Sequence, residues 1–368
     1  MGPAFGRAFS FSGRDAPKAV SEAGEAGFKG GNQRRGFHPL PFAPPLKRAW
    51  SFQGGKALYS SPLLVSGTAY VGGENGFFYA VNAATGKLRW QAKLGGKIYG
   101  SSPALDGGRL YVCSTDGCLN ALEARSGKVL WKACLSHGQP AFSSPLVQGG
   151  LACFGADDRF IRAVDAKTGL QRWSFATGGK IHDNAAAATA TTLVCGSQDG
   201  WLYALDFSNG RLKWKFKTDK QLNSTPLIFD GSVFIGSTGG TLYRLKLADG
   251  RRQWAFKASE GIGSSPAVDD KGHLVFGAGD GQIYCLDPAT GRQRWAFKAG
   301  GPVFASPLLA GGIAYIGSFD KKLYALKLAT GKPAWSAPVH GAIYATAAIG
   351  GDFLVLGDRG GALYGFKR

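Results

Sequence analysis

The sequence has no adjacent cysteine pair, no Cys-x-x-Cys, no His-x-x-x-His and no stretch approaching twenty consecutive apolar residues. Each absence excludes something. Without a long apolar run there is no membrane-spanning helix, which takes roughly 20 such residues. The six cysteines (113, 118, 134, 153, 195 and 285) match neither a zinc ribbon nor a redox pair. Most lie in apolar strand runs, where buried free thiols are expected. The five histidines (38, 137, 182, 273 and 340) are scattered and offer no paired metal ligands. The opening "MGPAFGRAFSFSGRDAPKAVSEAG" has no uninterrupted apolar run of the secretory kind, so the chain as given is expected in the cytoplasm. A missing N-terminal segment or a transit peptide would instead place it in the periplasm or an organelle. Acids are also scarce: 24 against 43 Lys and Arg, a formal charge of +19 that favours polyanions as non-specific partners.

Glycine and tryptophan are abundant by contrast. The 57 glycines imply many turns, and 44% apolar residues supply a large core. "ATGKLRWQAK" returns as "RSGKVLWKAC", "KTGLQRWSFA", "SNGRLKWKFK", "ADGRRQWAFK", "ATGRQRWAFK" and "ATGKPAWSAP". Its tryptophans, together with Trp50, fall at 50, 90, 131, 173, 214, 254, 295 and 335, a period of 40 to 42 residues; only Trp201 is out of phase. Such a period belongs to propeller blades or helix pairs. Residues 101–132 decide between them, because "PAL", "RLYVC", "CLNALE" and "KVLW" are short apolar runs separated by "DGG", "STDG" and "RSG". Each unit reads as a four-stranded antiparallel meander. In its last strand Leu88, Trp90, Ala92 and Leu94 are expected to face inward and Lys87, Arg89, Gln91 and Lys93 outward.

The final unit stops at Arg368 before its Trp strand, and "PLKRAWSF" at the other end supplies the missing one. The fold class is therefore all-β: an eight-bladed β-propeller over residues 46–368, closed by the strand around Trp50. Residues 1–27 lack a period and read as a disordered tail. Residues 28–45, richer in aromatics and proline, read as an arm packed on the ring.

The unit G-x-L-Y-A-L-D-x-x-T-G-x-x-x-W, present as "GFFYAVNAATGKLRW", "GWLYALDFSNGRLKW", "GQIYCLDPATGRQRW" and "KKLYALKLATGKPAW", resembles the pyrroloquinoline-quinone-like (PQQ-like) repeat. The resemblance covers about residues 28–368. That family includes quinoprotein alcohol dehydrogenases and the outer-membrane assembly factor BamB, and it implies the fold more firmly than a function. A dehydrogenase of this kind would imply PQQ, a calcium site, long insertions and a vicinal cysteine disulfide. Here the period leaves no room for large insertions, and no blade offers an acid cluster for the six to eight oxygens of calcium. Most acids fall at turn positions, such as Asp116, Asp158, Asp199 and Asp280, with Asn75 at the same phase, where a structural role suffices.

Two groups of residues remain as site candidates. Where neighbouring units read "YSSP", "GSSP", "FSSP" and "NSTP", the fourth reads "KIHDNAAAATA". His182, Asp183 and Asn184 there join a ring at one phase: Tyr59, Gly100, Phe142, Asp183, Asn223, Gly263, Phe304 and Tyr344. That ring would form a funnel with aromatic walls and polar anchors; the plainer alternative is that His182 and Asp183 solvate the funnel or pair with each other. The second group is a basic belt on the Trp strands, including Arg89, Lys93, Lys213, Lys215, Lys217, Arg251, Arg252 and Arg294. It would attract nucleic acid or an acidic surface, or merely guard strand edges, and no base-stacking aromatic is expected beside it. The expected function is that of a non-catalytic, monomeric scaffold for another protein, without a cofactor. A small-molecule or PQQ-binding propeller is the alternative, and an electrostatic polyanion binder the second alternative.

Overall fold

The computed structural model describes residues 29–136, 138–182 and 185–368. The tail read over 1–27 lies outside the described residues. Eight four-stranded antiparallel blades stand around one axis, one of them extended to five strands by a short parallel strand from the N-terminal arm. Blade 1 comprises, from the axis outward, Leu63–Val65, Thr68–Gly72, Phe77–Asn82 and Leu88–Lys93. Blades 2 to 7 repeat this order. Blade 8 takes Ala348–Gly350, Phe353–Gly357 and Ala362–Lys367 from the C-terminus and its outer strand, Lys47–Gln53, from the N-terminus. The ring is thus shut by backbone hydrogen bonds between the chain's two ends.

The repeated Trp and Thr-Gly belong to one device that joins blades. Trp254 on the outer strand of blade 5 donates its indole N–H to Pro288 O of blade 6 at 3.0 Å, and a Cβ added to Gly291 would stand 2.8 Å from the same ring. Gly291 has φ +72°, a left-handed conformation that glycine adopts without a Cβ penalty. The pattern repeats at Trp50 on Ala83 and Gly86, Trp90 on Ala124 and Gly127, and Trp295 on Leu328 and Gly331. A large apolar ring is therefore half-buried to buried between sheets that could not bury their faces singly.

The Ser/Thr of each Ser-Pro or Thr-Pro landmark performs the same task at the axis. Ser61 N donates to Ser102 Oγ (3.0 Å), Ser102 N to Ser144 Oγ (2.9 Å), Thr225 N to Ser265 Oγ (2.8 Å) and Thr346 N to Ser61 Oγ (2.9 Å). Blade-to-blade bonds thus circle the channel, and Ala185 in blade 4 has no hydroxyl to extend them from Ser144. The turn positions also have structural partners: Asp280 accepts from Gln282 N, Tyr284 OH and Ser259 N, and Asp199 from Trp201 N, Tyr203 OH and Gly178 N.

Two expectations are corrected. Leu88 faces solvent at 43% exposure, because the register slips between Ala80 and Val81 and a bulge breaks the alternation before Trp90. The cysteines are not all free thiols. Cys118 and Cys134 lie directly opposite on the outer hairpin of blade 2 and form a disulfide, whereas Cys113, Cys153, Cys195 and Cys285 are free and buried.

Candidate functional site

The loops that enter each blade and the turns between its second and third strands share one end of the ring. Glu74 N bonds Ala57 O, Gln198 N bonds Lys180 O, Phe319 N bonds Pro302 O and Arg359 N bonds Ala342 O, with equivalents in the other blades. Two concentric rings of side chains result. The inner is the sequence-predicted one, and Tyr59, Gly100, Asn223, Gly263, Phe304 and Tyr344 line an axial cavity of about 40 Å³. The outer ring, at the turn phase 74, 115, 157, 198, 238, 279, 319 and 359, was missed.

Across the inner ring an arc of rings runs from Phe304 through Phe319, Tyr344, Tyr59, Tyr99 and Phe142 to His182, with centroid separations of 4.2 to 6.4 Å. Outer-ring residues complete it. The Arg359 guanidinium lies 5.1 Å from the Tyr59 ring and 5.5 Å from Phe319. Opposite, Gln198 Nε2 reaches Asn223 Oδ1 at 3.5 Å. His182 Nδ1 meets Asp157 Oδ1 at 2.9 Å, and Lys180 Nζ meets Asp157 Oδ2 at 3.1 Å. The partner of His182 shown here is thus Asp157, where the sequence suggested Asp183; Asp183 and Asn184 lie outside the described residues. Comparing the eight turns at one phase would have exposed Phe319 and Arg359, the aromatic and the arginine among smaller or polar residues.

The opposite mouth is crossed by the arm. Rim residues precede each landmark Ser/Thr by two positions, whereas the arm's contacts run from the landmark itself to four positions after it, which places them at the far end of the channel. Asn32 O, Gln33 O, Arg35 O and Gly36 O accept from Ala188, Ile228, Val268 and Leu309, in blades 4, 5, 6 and 7. Phe37–His38 then pairs in parallel with Leu308–Ala310. Arg34, 1% exposed, donates to Ala186 O and Pro145 O, both at 3.0 Å, and buried Lys29 donates to Ser265 O at 2.9 Å and to Pro266 O. Burial, aided by the Arg34 charge, holds the Lys29 ammonium well below its usual pKa.

The belt residues sit on or beside the outermost strands, but several are engaged within their own blade. Lys93 and Lys217 donate to Asn75 O and Asp199 O, Lys213 to Thr191 O (2.7 Å), Arg89 to Gly67 O (3.4 Å), and Arg294 pairs with Asp287 at 2.7 Å. Arg251 and Arg252 are exposed. Aromatics do stand beside the belt, contrary to expectation: Lys215 and Lys217 lie 4.5 and 5.5 Å from the Trp201 ring, and Lys93 lies 4.6 Å from Phe77. These rings come from the third strand, whose first residue opposes the end of the outer one.

Among the described residues no group of three or more His, Cys, Asp or Glu could hold a metal ion, and no helix is long and apolar enough to cross a membrane. Burial pushes the thiols of Cys113, Cys195 and Cys285 up to about 12, so they are poor nucleophiles.

Ring, blade repeat and closure define a PQQ-like eight-bladed propeller. Comparison with known families carries this further: the family model described as outer membrane protein assembly factor BamB matches residues 45–174, 157–263 and 255–368, and the chain belongs to that family. No curated protein matches it. Among solved structures it is similar to BamB from Moraxella catarrhalis (19% identity, TM-score 0.75, 88% of this chain and 98% of that one). It is also similar to a quinohemoprotein alcohol dehydrogenase from Comamonas testosteroni (16%, 0.82, 93% and 80%) and to the computationally designed Ika8 protein (15%, 0.78, 88% and 100%). At these identities the structural likenesses establish the fold alone.

Proposed function

We propose that the chain is a non-catalytic interaction scaffold that docks another protein on the end bearing the two concentric rings. One observation carries this reading: the scaffold positions repeat from blade to blade, while the rim positions diverge into a half-buried aromatic arc capped by Arg359. Tyr and Arg at the centre of a patch are the residues that dominate protein interfaces. The family's description as an assembly factor agrees. At this end of the ring the axial cavity is only about 40 Å³, well under the roughly 300 Å³ or more that a drug-sized ligand occupies, so the rim suits a protein surface better than a small molecule. The Cys118–Cys134 bridge favours folding in an oxidising compartment over the cytoplasm; blocking free thiols at lysis and weighing the intact protein from source cells checks this.

The test of the scaffold is capture from source lysate by the tagged protein and by a Phe319→Ala/Tyr344→Ala double variant, washed at low and high salt. A discrete protein held at high salt by the first and lost by the second is the expected result. Equal capture by both contradicts the reading. A second reading, polyanion binding, is favoured by Lys215 and Lys217 stacked on Trp201; it requires affinity to fall linearly in log salt concentration.

A further inference from the structure

The chemistry of the docked protein follows from how charge is disposed at the rim. Asp358, fully buried, accepts from Gly341 N (2.6 Å), Ala362 N (3.0 Å) and Tyr364 OH (3.0 Å). Asp320 likewise accepts from Gly300 N, Lys322 N and Tyr324 OH. These carboxylates point into their own blades. The cations beside the aromatic arc do the reverse: Lys56, Lys97, Lys321 and Arg359 are exposed, and none forms an ion pair with a described residue. Glu74 is the one carboxylate of this quarter with no such turn role. The Lys56 backbone packs within 3 Å of a Cβ built on Gly361, so this lysine neighbours the Arg359 turn. Lys97 O holds Thr115 N in the turn of the next blade round, blade 2, whose entry loop Lys97 belongs to.

Arg359 is the anchor. Stacked on two rings, its guanidinium is fixed by ring faces while its donors stay open to a carboxylate. Tyr59 meets Tyr344 at 72° and Phe304 meets Phe319 at 80°, both edge to face, while Phe319 and Tyr344 are tilted at 55°. No two of these rings lie parallel, so the arc gives an apolar shelf instead of the open, aligned faces on which bases stack. We propose that the rim receives an extended acidic segment of the partner protein, apolar side chains resting on the Phe319–Tyr344–Tyr59 arc and a carboxylate on Arg359. This rests on the rim being the docking surface.

The test titrates the full chain with a fluorescent 12-residue peptide alternating Glu with Leu or Phe, its Glu→Gln analogue, and an oligo-dT of equal length, read by anisotropy. The acidic peptide is expected to bind at least about tenfold tighter than the Gln analogue. Arg359→Ala should weaken it about five- to tenfold and Arg359→Lys by less, while Arg251→Ser/Arg252→Ser changes it less than about twofold. Melting curves of the variants establish that each is folded. Equal binding of the Gln analogue, no binding of the acidic peptide up to about 1 mM, or displacement by oligo-dT that only the belt variant relieves would each overturn the proposal. Its failure is separable from that of the scaffold. If the Phe319→Ala/Tyr344→Ala protein loses a partner whose docking segment is not acidic, the scaffold stands and the acidic preference falls.

Discussion

The two mouths of the channel both hold cations, in opposite settings. At the arm's mouth Lys29 and Arg34 are buried and their nitrogens meet backbone carbonyls of blades 3, 4 and 6. At the rim Arg359 is exposed and rests on ring faces. The same chemical groups therefore serve different ends. Charge placed among carbonyls out of reach of water ties blades together, and removing it leaves acceptors unsatisfied. Charge stacked on a wet aromatic edge contributes little to the fold and is open to another molecule.

This difference can be broken in several ways, beginning with the largest effect. Arg34→Ala strips a charged donor from two buried carbonyls, each worth roughly 1.5 to 3 kcal/mol, so unfolding should become easier by about 4 kcal/mol. Denaturant unfolding checks it, and an unchanged midpoint would remove the structural role assigned to the arm. Next, Cys118→Ser with Cys134→Ser should cost about 3 kcal/mol, the value for a loop of this size, on the chain-entropy account. That loss should leave rim binding intact, separating stability from recognition at the same end of the ring.

Alkaline pH sharpens the contrast by sign. Burial first, and then Asp199 and Asp320, push the hydroxyls of Tyr203 and Tyr324 up to about 12. Their folded pKa exceeds the unfolded value near 10, so the stability they add is complete below about pH 10 and is lost between about 10 and 12. Lys29 has a lowered folded pKa, so the folded state binds its proton less well than the unfolded chain does. Its contribution rises with pH up to the unfolded value near 10.4. Stability against pH should thus rise and then fall, and Lys29→Met should reduce the rise while leaving the fall unchanged. The smallest effect is at the rim: Arg359→Ala should shift stability by less than about 0.5 kcal/mol while weakening the partner. A larger shift in thermal unfolding would make Arg359 a structural residue.

The blades and their closure were legible because each unit must carry the same turn and wedge at one phase, and Trp50 had to find a sheet. The inner ring was legible for the same reason, since it stands two residues before the landmark Ser/Thr. What escaped depended on register across strands. Leu88 turns outward because a bulge inserts one residue before Trp90, and alternation counted along a single strand cannot see it. Cys118 and Cys134 lie 16 residues apart and become partners only through the hairpin's pairing. Phe319 and Arg359 fall in turns that look like ordinary connections until the loop entering the same blade is bonded to them. The arm's route across four blades has no periodic signal at all.

On the proposed function, the partner docks on the rim and not on the belt. The most direct measurement places the photo-crosslinker p-benzoylphenylalanine at Tyr344 and, separately, at Arg252, irradiates source cells, and identifies what is joined at each position. A discrete protein joined at 344 and absent at 252 is the predicted result. A protein or nucleic acid joined at 252 with nothing at 344 would contradict it.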